Sequence, residues 1–183
     1  MASRAVSAPL AHLPNALTIL RLALIPIFIV VYVSAEDGSS WAAGWIFLVA
    51  GVTDQVDGFL ARRWHVESQF GKLADPLADR LMIDSAAILL SLEGKLPWVG
   101  TVIILLRDAL LVGGYRLLMP RGYELNVTML GKVATWLLYL SVGILLVVGQ
   151  STEWPLWLFW FALALALAAA AQYVIKARRE VAG

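Results

Sequence analysis

Trp41-Ala-Ala-Gly44-Trp45-Ile-Phe-Leu-Val-Ala50-Gly51-Val-Thr53-Asp54-Gln-Val-Asp57-Gly58-Phe59-Leu60 runs thirteen residues without a charge, then sets two aspartates three apart. A membrane-crossing helix needs roughly 20 mostly apolar residues, and ionisable groups inside such a run are costly and mark function. Five further segments have the same apolar character: 17–34, 77–92, 97–118, 127–148 and 154–175. The chain of 183 residues is 61% hydrophobic and 15% charged, with mean hydropathy +0.80. Average soluble domains are about half apolar and about a quarter charged. The expected fold is therefore all-α, a polytopic membrane protein with six transmembrane helices in a single domain over 1–183, with no long polar linker and no internal repeat.

Charge placement orients it. The connections around Glu36/Asp37, Glu93/Lys95 and Glu153 contain one cation, Lys95, whereas Arg4, Arg62, Arg63, Lys72, Arg116, Arg121, Lys176, Arg178 and Arg179 lie at the opposite ends. By the positive-inside rule both termini and the 62–72 loop face the cytoplasm, and the location expected is the plasma membrane. Residues 1–14 form a candidate interfacial segment. Val33-Ser34-Ala35 has the small-residue pattern of a signal-peptidase site, but Arg21 and Pro26 interrupt the run before it. With no cysteines, disulfides and thiolate metal sites are excluded. No nucleic-acid partner is expected.

The chemistry concentrates at the cytoplasmic surface. Asp54 and Asp57 are three apart, and Asp75 and Asp79 four apart at the start of the next span. On helices both spacings place side chains on one face. Four clustered carboxylates repel one another unless a cation sits among them, and such oxygen ligands suit hard divalent ions that also hold substrate phosphates. Gly58 and Gly71 permit close approach, Ala61 leaves one face open, and Arg62 supplies a fork for phosphate. The plainer reading is that the aspartates only pair with Arg62, Arg63, Lys72 and Arg80; four at these spacings beside two glycines and an arginine argue for a diphosphate site. A cation transporter instead needs acidic groups along a path through the bilayer, and these cluster at one surface.

The run from Asp54 through Arg62, eight intervening residues, and the run from Gly71 to Asp79 fit D-x2-D-G-x2-A-R-x8-G-x3-D-x3-D at every fixed position. This resembles the CDP-alcohol phosphatidyltransferase signature, and the resemblance covers nearly the whole chain. It implies that Asp54, Asp57, Asp75 and Asp79 hold one or two Mg²⁺ or Mn²⁺ ions, and that Asp79 is also the general base. It also implies that Gly58, Ala61, Arg62 and Gly71 shape the nucleotide pocket. The substrates implied are CDP-diacylglycerol and an alcohol, with release of CMP, in a homodimer within membrane lipid.

The stretch Pro14-Asn15-Ala-Leu-Thr18-Ile-Leu-Arg21 resembles the branch that makes phosphatidylglycerophosphate and cardiolipin, which adds Asn15 and Thr18 to the CDP-binding set; helix capping is their plainer role. For the acceptor, the candidates are Arg107, Arg116 and Lys132. Arg107-Asp108 followed by Leu111-Val112-Gly113-Gly114, and Gly131-Lys132-Val133-Ala134-Thr135, resemble cardiolipin synthases of this superfamily. Phosphatidylglycerophosphate synthases, which use glycerol 3-phosphate, carry a second lysine where Ala134 stands. The singly charged phosphodiester of phosphatidylglycerol needs less cationic surface, so a lipid acceptor is favoured, with glycerol 3-phosphate the alternative. Arg107 and Asp84 fall at similar depth, where a structural ion pair is the bland reading. Tryptophans 41, 45, 98, 154, 157 and 160 read as an interfacial belt, His65 as a solvated loop residue, and the small residues of 162–171 as a helix-packing surface that suits the homodimer.

Overall fold

A computed structural model describes residues 13–35, 39–64, 69–118, 128–148 and 152–182, with the side chains of 13–15, 17–18, 54–64, 69–79, 114–118, 173–174 and 176–182 outside the description. The described residues form six helices: α1 Leu13–Val33, α2 Trp41–Trp64, α3 Gln69–Leu92, α4 Trp98–Leu118, α5 Met129–Val147 and α6 Trp154–Ala182. Each apolar segment became one helix. The helices overrun the apolar segments where polar residues follow, because intrahelical hydrogen bonding needs no lipid; α3 starts before Gly71 and α6 continues through Lys176, Arg178 and Arg179. Residues 1–12 of the interfacial segment and His65 lie outside the described residues, and Leu13 and Pro14 already belong to α1.

Contacts at one end establish the topology. Tyr32, closing α1, donates to Glu93 at 2.7 Å. Ser40 N–H, just before α2, donates to Leu146 O at 2.9 Å, and Ser40 Oγ caps α2 by accepting from Ala43 N–H. Lys95, just beyond α3, donates to Leu145 O at 3.2 Å and Val148 O at 2.8 Å, satisfying carbonyls that α5 leaves open at its C-terminus. Gly100 near the start of α4 meets Phe159 near the start of α6. The ends of α1, α3 and α5 and the starts of α2, α4 and α6 therefore share one end, an up-and-down bundle. The opposite end collects the start of α1, the α2–α3 and α4–α5 connections and the end of α6; it is the motif end.

The turn after α3 is a Schellman closure: Gly94 N–H reaches Ser91 O, Lys95 N–H reaches Leu90 O, and Gly94 sits at φ +75°, where a Cβ is disfavoured. It delivers Lys95 into a site where the residue is buried. That burial lowers the proton affinity of Lys95 below its ordinary 10.5, with Glu93 acting in the opposite sense.

Helix α3 is central, touching α1, α2, α4 and α5, while α6 packs along α5 and α4. Phe28 and Tyr32 of α1, Phe47 of α2, Met82 and Leu90 of α3, Leu138 and Leu146 of α5 and Phe159 of α6 form one buried cluster. The exterior is as apolar as the interior: Leu110 is 74% exposed and Trp157 73%, a covering that suits lipid rather than water. Among the described residues, Met129–Val147 and Trp154–Gln172 are long and apolar enough to cross a membrane, each with mean hydropathy 1.8.

One expectation changes here. Trp41, Trp45, Trp98, Trp154 and Trp157 are exposed towards the end opposite the motif, but Trp160 is half-buried, edge-on to Phe159. Of the small residues of 162–171, Ala162, Ala166 and Ala169 are buried where α6 packs within the chain, a helix-packing surface as expected, while Ala164, Ala168 and Ala171 are exposed.

Candidate active site at the motif end

The backbone carries the signature on two facing helices. Asp54 and Asp57 lie on α2, ten and seven residues before its end at Trp64. Asp75 and Asp79 lie on α3, six and ten residues after its start at Gln69. Because α2 runs towards the motif end and α3 away from it, and the two helices touch, the aspartate pairs stand at matching depths, about 10–15 Å of helix from the turn. Asp75 is thus already in the second turn of a helix, not at the start of one. Gly58, Ala61 and Arg62 share the last turns of α2, and Gly71 the first turn of α3. Asn15 and Thr18 begin α1, Arg116 ends α4 and Lys132 opens α5, all at the same end. The side chains of Asn15, Thr18, Asp54, Asp57, Gly58, Ala61, Arg62, Gly71, Asp75, Asp79 and Arg116 lie outside the described residues. Among the described residues no three acidic or histidine side chains gather as a metal site.

Behind the signature, described side chains build a polar layer. Asp108 of α4 is buried and accepts hydrogen bonds from Arg107 Nη1 at 2.9 Å and from Arg80 Nη1. Residues i and i+1 of a helix do not face each other, so the arginine side chain curls back to reach its neighbour's carboxylate. Arg80 follows Asp79 directly, so the ion pair ties α4 to the turn of α3 that carries the last signature aspartate. Asp84, one turn further along α3, acts electrostatically on Arg107. The Arg107–Asp84 pair expected from depth is therefore a larger cluster, with Asp108 as the hydrogen-bonding carboxylate of Arg107. Among the described residues, Arg107 Nε is buried without a hydrogen-bond partner. Lys132, by contrast, is exposed in the first turn of α5, a turn capped by Thr128, whose side chain accepts from Gly131 N–H at 3.2 Å.

On the other side of α2, Arg21 of α1 is almost completely buried and its Nε donates to Ala50 O at 3.4 Å. Thr53 Oγ1 donates to the same carbonyl at 2.9 Å. Both hold the turn of α2 that precedes Asp54. Sequence reasoning passed over Arg21, Arg80 and Asp108 as site-supporting residues. The signal was present in each case, a charge within an apolar stretch, but the contacts of Arg21 with Ala50 and of Arg80 with Asp108 join different helices.

The chain is similar to known proteins along most of its length. The family model for CDP-alcohol phosphatidyltransferase matches residues 11–168. The cardiolipin synthase (CMP-forming) of Streptomyces coelicolor is 35% identical over 187 residues, covering 92% of this chain and 84% of that protein. The CDP-diacylglycerol–glycerol-3-phosphate 3-phosphatidyltransferase of Bacillus subtilis is 33% identical over 147 residues, covering 74% and 76%. A Mycobacterium tuberculosis protein, whose name assigns it provisionally to cardiolipin synthesis, is 43% identical over 127 residues; the match takes in 67% of this chain but only 58% of that relative's length. With the match running from the start of α1 into α6 and the signature set on facing helices, the chain belongs to the CDP-alcohol phosphatidyltransferase family.

Proposed function

We propose that the protein is a six-span enzyme of the plasma membrane, with its motif end and both termini in the cytoplasm. It transfers the phosphatidyl group of CDP-diacylglycerol to phosphatidylglycerol, forming cardiolipin and CMP. The observation that carries the reading is the signature on α2 and α3, whose four aspartates stand at matching depths on touching helices. Such an all-oxygen donor set fits a hard divalent ion. Asp54, Asp57, Asp75 and Asp79 would hold one or two Mg²⁺ or Mn²⁺ ions, whose charge, when bound, offsets that of the diphosphate.

The chain's own part is positioning and proton transfer. Asp79 takes the proton of the acceptor hydroxyl, since an alcohol is a weak nucleophile until a base removes it. The hydroxyl oxygen bonds to the β-phosphorus, the bond from that phosphorus to the bridging oxygen breaks, and CMP leaves with the electron pair. Gly58, Ala61, Gly71 and Arg62, with Asn15 and Thr18 from α1, seat the nucleotide. No covalent intermediate is needed, and the donor's acyl chains stay in lipid. A homodimer is the assembly proposed.

The acceptor follows from the cations. Arg107 and Arg80 share Asp108 and Asp84 also acts on Arg107, so two carboxylates answer the two guanidiniums within the bundle, and Arg107 acts on the acceptor through this cluster. Lys132 is the exposed cation in the first turn of α5. Among the described residues at this end Lys132 is the cation open to solvent, and with the second lysine replaced by Ala134 the α5 start suits a singly charged phosphodiester better than the dianionic phosphate of glycerol 3-phosphate. The Bacillus relative's name supports that second acceptor.

The test is CMP release by the purified protein with CDP-diacylglycerol and Mg²⁺ or Mn²⁺, offering phosphatidylglycerol or glycerol 3-phosphate in parallel. Release with phosphatidylglycerol is expected, falling about 10²–10⁴-fold in Asp79→Asn with the fold retained. Release with glycerol 3-phosphate alone would assign the protein as a phosphatidylglycerophosphate synthase.

A further inference from the structure

Helices α2 and α5 cross in tight antiparallel register. A Cβ on Gly44 would collide with Val147, one on Gly51 would lie 3.1 Å from the Tyr139 ring, and one on Gly143 would lie 3.6 Å from Phe47. Along this seam runs a groove of about 820 Å³. Its walls are half-exposed apolar side chains: Trp45, Leu48 and Val52 from α2, Trp136 and Leu140 from α5. From Lys132 to Val147 it follows about 22 Å of helix, longer than the roughly 15 Å depth of one leaflet's hydrocarbon.

The groove is chemically lopsided. Among the described residues lining it, Lys132 is the charged one, and it stands at the motif end. Continuing the Gly51–Tyr139 pairing along both helices brings Lys132 level with Gly58 of the signature. An apolar slot of acyl-chain length thus ends at the exposed ammonium of Lys132, at the depth of the aspartates.

We propose that this groove seats an acyl chain of the phospholipid acceptor, with its phosphodiester at Lys132 and its headgroup hydroxyl delivered to the signature. The proposal rests on the reading of the acceptor as phosphatidylglycerol. The committed occupant is the acceptor because the ammonium of Lys132, exposed at the motif end of this apolar slot, complements a phosphodiester there; the doubly charged diphosphate of the donor is assigned to the metal-holding aspartates and Arg62.

The experiment uses the full-length protein in lipid nanodiscs, with Leu48→Trp and Leu140→Trp filling the groove from either wall. CMP release is measured against dioleoyl and dihexanoyl phosphatidylglycerol at saturating CDP-diacylglycerol, and against CDP-diacylglycerol at saturating acceptor. The expected result is a KM for dioleoyl phosphatidylglycerol raised at least about fivefold. The dihexanoyl acceptor, too short to need the groove, should be used as by the wild type, with the donor KM unchanged. A rise confined to the donor KM gives the groove to the donor and overturns the proposal; unchanged constants for both leave only bulk lipid there and overturn it too. Should the variants fold poorly, a phosphatidylglycerol with a diazirine in its acyl chain provides the second measurement on wild-type protein. It should label α2 and α5 and be competed by unlabelled phosphatidylglycerol but not by CDP-diacylglycerol; the reverse competition refutes the assignment. Wild-type use of glycerol 3-phosphate alone would defeat the acceptor reading itself, whereas use of phosphatidylglycerol with indifferent variants would defeat only the groove.

Discussion

Asp108→Asn removes one charge while keeping the shape of the side chain, and it isolates what the α3–α4 ion pair contributes. The carboxylate is 4% exposed and accepts from guanidiniums that are 11% exposed for Arg107 and 26% for Arg80. Charge-assisted hydrogen bonds contribute about 1.5–3 kcal/mol and neutral ones about 0.5–1.5, so neutralising the shared acceptor costs about 1 kcal/mol per bond. Breaking a fully buried pair costs about 3–5 kcal/mol because the remaining charge is stranded. Arg80 is partly exposed and can recover solvation, which lowers that figure. The expected loss is about 2–4 kcal/mol of unfolding free energy. The assay is unfolding in mixed micelles by titrated sodium dodecyl sulfate, followed by tryptophan fluorescence. A loss below about 0.5 kcal/mol, as for an exposed pair, would refute the reasoning. So would a cycle of Arg80→Met and Asp108→Asn showing no coupling, since residues sharing one ion pair should couple by about 0.5–3 kcal/mol.

Lys95→Met removes the donor to Leu145 O and Val148 O and is expected to cost about 1–2 kcal/mol in the same assay. Because burial lowers the proton affinity of Lys95, the folded state binds fewer protons than the unfolded state between that lowered value and 10.5. This group alone therefore makes stability rise with pH across that window, and the rise should vanish in Lys95→Met. Gly44→Ala drives a methyl into Val147 and is expected to cost about 1–3 kcal/mol; an unchanged unfolding midpoint would show that the α2–α5 seam is looser than described.

The sequence by itself determined the helices and the family. Apolar length set the six segments and polar connections separated them. The signature from Asp54 to Asp79 was readable because the spacing of residues along a helix is local. Tertiary structure alone decided which helices touch and what each buried charge meets. Asp108 is one residue from Arg107 in the chain, yet its link to Arg80 depends on how α3 and α4 pack. Arg21 looked like an interruption in an apolar run until α2 placed Ala50 O beside it. The small residues of α6 read equally well as an outer face or an inner one, and only packing within the bundle separated the buried Ala162, Ala166 and Ala169 from the exposed Ala164, Ala168 and Ala171. When both faces of a helix are apolar, hydrophobic pattern no longer separates core from surface, and the partner of each face is settled by close packing between helices.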